Sequence, residues 1–171
     1  ADLTVFVDTF KYNKKSSSKA PHAIEVNIGK SRLLGSCGTT FEKDKKWKKS
    51  LFSASAHSAL IIENSNPCSL KDKNQKVSCK RFKKNGAEVV QLVHYGYKNR
   101  YSAICSRTLE LGKNGKNFAV LDQIYSEKLL KFAIRLHFNP DVKISLSRDK
   151  KKSMLIINDQ GWSFYFDGKA I

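Results

Sequence analysis

What most constrains this chain is a period-two alternation of apolar and polar residues, in short runs broken by turn-forming residues. Ala23-Ile24-Glu25-Val26-Asn27-Ile28 alternates from Ile24 onward, and the β-rich run from Leu3 to Asp8 alternates apart from Phe6. Such alternation puts every second side chain on one face of a strand, so each run buries one face of a sheet. Gly29-Lys30-Ser31 then turns the chain into residues 32–37, a glycine-containing turn between two β-patterned runs and hence a hairpin. Further strand-like runs follow at regular spacing over residues 55–63, 77–82, 87–95, 101–111, 117–125 and 131–138. A last hairpin joins residues 143–147 to 153–157, and residues 161–166 close the series. Helical spacing is confined to residues 126–132, which a strand also fits. An all-β, multi-stranded antiparallel sandwich in one domain, over residues 1–171, is the economical expectation.

Length and composition agree. The 171 residues include ten Phe, six Tyr and two Trp, which need a core to occupy; a domain of this size buries roughly 70% of its unfolded surface. No apolar run approaches the ~20 residues of a membrane-spanning helix. The chain opens Ala1-Asp2-Leu3-Thr4-Val5-Phe6-Val7, without initiator Met or signal-peptide pattern, as expected of a fragment that starts inside a strand.

Lys and Arg number 32 against 15 Asp and Glu, a formal net charge of +17. That excess favours polyanionic partners: nucleic acid, an anionic membrane surface or an acidic polysaccharide. A lysine-rich surface that only keeps the protein soluble accounts for the charge equally well. The lysines fall in separate clusters at residues 43–49, 71–84, 113–116 and 150–152, each expected to be a loop between strands. Scattered basic loops make a diffuse field, and no RRM, KH or helix-turn-helix signature accompanies them, so nucleic acid is the weaker reading.

Cys37, Cys68, Cys79 and Cys105 form no CxxC pair, which removes support for a zinc ribbon or a thioredoxin-like site. Cys37 and Cys105 lie in apolar text and are expected to be buried; Cys68 and Cys79 flank a basic loop and can pair in an oxidising compartment.

Three segments stand out. His57 lies among small residues, Ala54-Ser55-Ala56-His57-Ser58-Ala59-Leu60, which let backbone crowd the ring and aim it. Its near-neutral pKa suits a ligand or proton carrier, while a core histidine bonded to backbone fits the same text. Tyr95-Gly96-Tyr97-Lys98-Asn99-Arg100-Tyr101 interleaves rings with cations; Tyr97 and Arg100 can stack on a sugar and pair with its anionic groups, or form an ordinary hairpin corner. In Phe132-Ala133-Ile134-Arg135-Leu136-His137-Phe138-Asn139-Pro140, alternation assigns Arg135 and His137 to one face, as either a binding pair or a solvated sheet surface.

In order along the chain, these segments resemble the C-terminal β-domain of heparinase II/III-like polysaccharide lyases. The carriers are the run from His22 to Gly29 with Arg32-Leu33-Leu34 and Ser36-Cys37-Gly38; Ser55-Ala56-His57-Ser58-Ala59-Leu60; Tyr95-Gly96-Tyr97 with Arg100-Tyr101 and Arg107-Thr108-Leu109-Glu110-Leu111; Arg135-Leu136-His137-Phe138-Asn139-Pro140-Asp141-Val142; and Gly161-Trp162-Ser163-Phe164.

The resemblance implies a β-domain that faces a separate helical toroid across a cleft for an acidic, uronate-containing polysaccharide, in the periplasm or cell envelope. Chain cleavage in such lyases is β-elimination, in which a base removes the proton α to a uronate carboxylate while a cation or donor neutralises the carboxylate. The toroid lies outside these 171 residues, so the chain alone is expected to be incomplete for catalysis. His57 and His22 become the candidate catalytic groups, and Tyr97, Arg100, Arg135 and His137 the candidate substrate-binding groups. A non-catalytic anionic-glycan-binding module or inactive relative is the alternative.

The departures from the family pattern bear on metal. Ser16 and Ser18 align where many members carry His-x-His, Ser36 where they carry a metal-binding Asp, Cys105 where they often carry His, and Asn139 in place of the second His of His-x-His-Pro. His57 alone matches a zinc ligand, and one imidazole cannot hold a structural zinc that takes four donors. Neither metal nor other cofactor is therefore expected.

Overall fold

The computed structural model of the chain describes residues 2–12, 16, 18–38, 44–67 and 76–167. Its strands are β1 (Leu3–Val7), β2 (Ile24–Ile28), β3 (Ser31–Gly35), β4 (Leu60–Ile62), β5 (Val77–Lys84), β6 (Ala87–His94), β7 (Ile104–Leu111), β8 (Phe118–Tyr125), β9 (Phe132–Ile134), β10 (His137–Phe138), β11 (Lys143–Leu146), β12 (Lys152–Ile157) and β13 (Gln160–Tyr165). Two short helices, α1 (Lys45–Phe52) and α2 (Lys98–Tyr101), and a 3₁₀ turn at Ala54–Ala56 complete the described elements. The strands form antiparallel sheets ordered β1-β2-β3-β10, β5-β6-β7-β8 and β11-β12-β13, with β4 paired to β9. This is the all-β sandwich the alternation predicts.

The main core gathers the inward phase of several strands. Ile24, Val26 and Ile28 from β2 meet Leu33 and Leu34 from β3, Leu92 from β6, Leu109 from β7, and Leu155 and Ile157 from β12. Each such side chain contributes roughly 1.5–3 kcal/mol on burial, and together they clamp three sheets about one centre. In the predicted first hairpin, Ile28 pairs with Ser31 across a two-residue turn. Gly29 there adopts φ 56°, a left-handed conformation that costs glycine little.

Four expectations are corrected. Residues 44–49 do not form a loop: Asp44 caps a helix by accepting from the Lys46 and Trp47 N–H groups, and Lys45–Phe52 follows with no buried residue. A lysine run is compatible with a solvated helix once its first turn is capped. The apolar run at 55–63 yields a strand only at Leu60–Ile62, because Ser53 caps the 3₁₀ turn and the backbone bends through residues 57–59. Residues 131–138 are two strands, β9 on β4 and β10 on β3, so the chain changes sheets between Ile134 and His137. Finally, Cys105 is buried as expected but Cys37 is exposed, since it lies past the end of β3. Cys79 is a free exposed thiol, and Cys68, its suggested partner, falls outside the described residues.

Candidate functional site

Two groups of polar side chains are assembled where β7, β8, the His22 loop and the His57 segment meet. The lower one centres on Arg107. On β7 the buried phase runs Cys105, Arg107, Leu109, so an arginine takes an apolar position. It is accommodated because Asp122, directly opposite on β8, accepts from Arg107 Nε at 2.7 Å and from Nη2 at 2.8 Å. The second fork nitrogen, Nη1, donates to the carbonyl oxygens of His22 at 2.8 Å and Ser58 at 3.2 Å. One guanidinium therefore ties together two strands and both loops that carry candidate histidines, with every contact charge-assisted.

His22 itself is buried, with a left-handed backbone (φ 61°). That conformation costs a non-glycine residue roughly 1–2 kcal/mol, and the Arg107 bond to its carbonyl helps hold it. Its ring packs edge-on against His94, centroids 5.0 Å apart, and His94 stands 5.9 Å from Tyr97. Neither ring nitrogen of His22 has a hydrogen-bond partner. Burial, with Arg107 nearby, lowers the His22 pKa to about 4; burial, then the charge of His22 and of Arg107, lowers His94 to about 3. Both are neutral at pH 7. The cavity between His22, His94, Cys105, Arg107 and Asp122 measures about 10 Å³, close to the volume that admits one water and far too small for a sugar ring. Burial also pushes the Cys105 thiol up to about 12, an inert group.

Tyr97, expected to offer a stacking face, is 1% exposed. Its hydroxyl donates to the Ser65 carbonyl at 2.9 Å and accepts from the Ile62 N–H at 3.1 Å, so ring and hydroxyl are committed to the β4 edge. The turn before it is closely packed: a Cβ on Gly96 would lie 2.7 Å from the Pro67 carbonyl oxygen. Arg100 is exposed on α2 with its guanidinium 5.8 Å from the Tyr101 ring centre.

The upper group combines a buried His57 with a half-buried His137 and an exposed Arg135. His57 closes the 3₁₀ turn, and its Nε2 is 3.1 Å from the Leu51 carbonyl oxygen. That oxygen can only accept, so Nε2 carries a hydrogen and the basic lone pair of the neutral ring is on Nδ1. Burial lowers the His57 pKa, opposed by that backbone bond, and the neighbouring His137 charge lowers it further; Asp8 and Glu25 act the other way. His137 on β10 bonds the Ser55 carbonyl through Nε2 at 2.9 Å, meets Cys37 Sγ through Nδ1 at 3.4 Å, and donates its backbone N–H to Ser58 Oγ at 2.9 Å. Arg135 is anchored by its N–H to the Ala59 carbonyl and is exposed, with Nη2 3.4 Å from Asn64 Oδ1.

Thus His57 and His137 are neighbours, Arg135 points its guanidinium to Asn64, His22 is tied to the His57 segment through Arg107, and Tyr97 and Arg100 belong to a separate turn. Sequence reasoning gave no site role to Arg107, Asp122, His94 or Ser58. For Arg107 a signal existed: a charged residue in the buried phase of an otherwise apolar strand demands a buried partner. Asp122 on the next strand carries the same mark.

A zinc site of the family kind does not fit these residues. Hydroxyls stand at Ser16, Ser18 and Ser36, His57 Nε2 is engaged with Leu51, and among the described residues no group of three His, Cys, Asp or Glu side chains could hold a metal ion.

Solved structures share this arrangement of sheets. The heparan sulfate lyase HepC from Pedobacter heparinus superposes with a TM-score of 0.77 at 15% identity, over 92% of this chain and 24% of that one. The Heparinase III-BT4657 gene product superposes with a TM-score of 0.72 at 13% identity, over 88% of this chain and 23% of that one. The fold is therefore that of the β-domain of such lyases, and the chain spans about a quarter of their length. The sequence matches the heparinase II/III-like C-terminal family over residues 2–171, and the chain belongs to that family. No curated protein matches it.

Proposed function

We propose that this chain is the β-domain of a heparinase II/III-type lyase that acts by β-elimination on an acidic, uronate-containing polysaccharide, working with a helical toroid domain outside these residues. The observation that carries the reading is the proximity of His57 and His137 in a strongly basic protein, with Arg135 exposed two residues before His137 in the chain. In β-elimination a base takes the proton α to the uronate carboxylate, a carbon–carbon double bond forms, and the glycosidic oxygen leaves with a proton. A histidine kept neutral by burial accepts a proton at neutral pH, and His57 has that character. Arg135, with Arg100 on a separate turn, supplies cations for carboxylate and sulfate groups.

The test is absorbance in the unsaturated-uronate band while heparan sulfate, heparin or alginate is incubated with the chain, alone and joined to the remainder of its parent protein. Absorbance that rises with the wild-type protein and is lost in His57→Ala supports the reading. A flat trace from the whole parent protein, with heparin binding retained, replaces it with an anionic-glycan-binding module. The serines at positions 16, 18 and 36 favour that second reading.

A further inference from the structure

Cys37 and His137 are a hundred residues apart in sequence, yet Cys37 Sγ lies 3.4 Å from His137 Nδ1. The other ring nitrogen, Nε2, is 2.9 Å from the Ser55 carbonyl oxygen. A carbonyl oxygen only accepts, so Nε2 bears a hydrogen and, in the neutral ring, Nδ1 is bare. The thiol is then the donor, with its proton directed at the lone pair of a base. The parts are held from both sides: the Cys37 N–H donates to the Ala56 carbonyl at 2.8 Å, and Ser58 Oγ, which accepts from the His137 N–H, donates to the Gly35 carbonyl at 2.7 Å. A thiol, an imidazole within reach and a third group that fixes the tautomer are the parts of an activated cysteine nucleophile. Cys37 is exposed, so a reagent can approach its sulfur.

We propose that Cys37 and His137 form a nucleophilic thiol site that takes small disulfides and soft carbon electrophiles. With a small disulfide, the Cys37 proton passes to His137 Nδ1 and the thiolate bonds to one sulfur. The disulfide bond breaks, and the departing thiolate recovers the proton from the imidazolium. The products are a mixed disulfide on Cys37 and one small thiol. The charged and titratable groups near the pair are His57, which Asp8 and Glu25 also influence, and Arg32, whose side chain passes beside Gly35. A net charge of +17 adds a field that favours the anionic sulfur.

The other described cysteines provide controls within the same molecule. Cys79 is exposed on β5 but makes no thiol–imidazole bond, and Cys105 is buried. Each unit by which a neighbour lowers a thiol pKa gives about tenfold more thiolate and about threefold less intrinsic nucleophilicity, a net gain of about threefold below neutrality.

The experiment labels the intact chain with iodoacetamide between about pH 5 and pH 9 and follows Cys37, Cys79 and Cys105 separately by peptide mass spectrometry. Glutathione disulfide serves as the second reagent. Cys37 is expected to react at least about threefold faster than Cys79 near pH 6. His137→Gln is expected to remove that advantage without changing the Cys79 rate. Equal rates and matching pH profiles for Cys37 and Cys79 in the wild type would overturn the proposal whether or not the variant folds. So would an unchanged Cys37 rate in a His137→Gln protein whose Cys105 stays protected.

Discussion

Arg107 and Asp122 face each other across β7 and β8 as a two-pronged ion pair, at 2.7 and 2.8 Å, with side chains only 3% and 4% exposed. Because Nη1 of the same guanidinium also holds the His22 and Ser58 carbonyls, the pair sets the height of both histidine loops above the sheet. The candidate site is thus built on a buried charge pair, not on the apolar core.

Asp122→Asn should therefore cost about 3–5 kcal/mol, because it strands a buried guanidinium. The double variant Arg107→Met/Asp122→Leu should cost clearly less, since an apolar pair of similar volume removes both charges together. Urea denaturation of wild type, Asp122→Asn, Arg107→Met, Asp122→Leu and the double variant checks this; additive losses would refute the coupling.

Acid should loosen the same region. In the unfolded chain His22 and His94 bind protons near pH 6.5, whereas in the fold they resist until about 4 and about 3. The unfolded state thus holds more protons in this window, and stability falls as pH drops from about 6.5 towards 4. Each histidine contributes about 1.4 kcal/mol per pH unit to that slope, and none above the window. Thermal melts at pH 7, 6, 5 and 4.5 measure the slope, and His94→Phe should reduce it by about half. A melting temperature flat across that range would refute it.

Tyr97→Phe removes one oxygen that accepts from the Ile62 N–H and donates to the Ser65 carbonyl. An unsatisfied buried N–H costs about 1–3 kcal/mol. The variant should lose that much stability in denaturant titration while keeping its affinity for heparin, because the ring has no exposed face.

Gly96→Ala should cost a similar amount for a steric reason. The added Cβ would meet backbone, the Pro67 carbonyl oxygen at 2.7 Å, and not a flexible side-chain end. Overpacking of this kind costs typically about 1–3 kcal/mol. A melting temperature equal to wild type would show that the Pro67 loop gives way freely.

For binding, Arg135→Ala and Arg100→Ala should each lower the salt concentration that elutes the chain from immobilised heparin. Each lost contact with a polyanion removes about one unit from the log–log salt dependence. The surface Lys113→Ala, outside the candidate site, should change elution least; equal shifts for all three would mean that net charge alone governs retention.

Much of the fold was legible in the sequence because period-two alternation is local. The hairpin at Gly29 and the strands at Ala87–His94, Phe118–Tyr125 and Lys152–Ile157 lie where the pattern put them. The Lys45–Phe52 helix escaped notice although its signal, the Asp44 cap, is local too; the lysine run hid it. The ordered motifs also carried the family, which requires only that corresponding residues recur in sequence.

What alternation cannot encode is depth and long-range partnership. It assigns a side chain to a face, but whether another layer covers that face depends on segments far along the chain. Tyr97 is interior because β4 lies over it, and Arg107 is tolerable in the core only because Asp122 arrives opposite in register. Cys37 meets His137 because the chain leaves β4 after Ile134 and joins β3 at His137. Strand positions, charge and family thus came from sequence alone, being written in short-range pattern and order. The burial of the histidines, the arginine's partners and the thiol–imidazole contact were decided by tertiary packing, which alone determines which groups lose water and what replaces it.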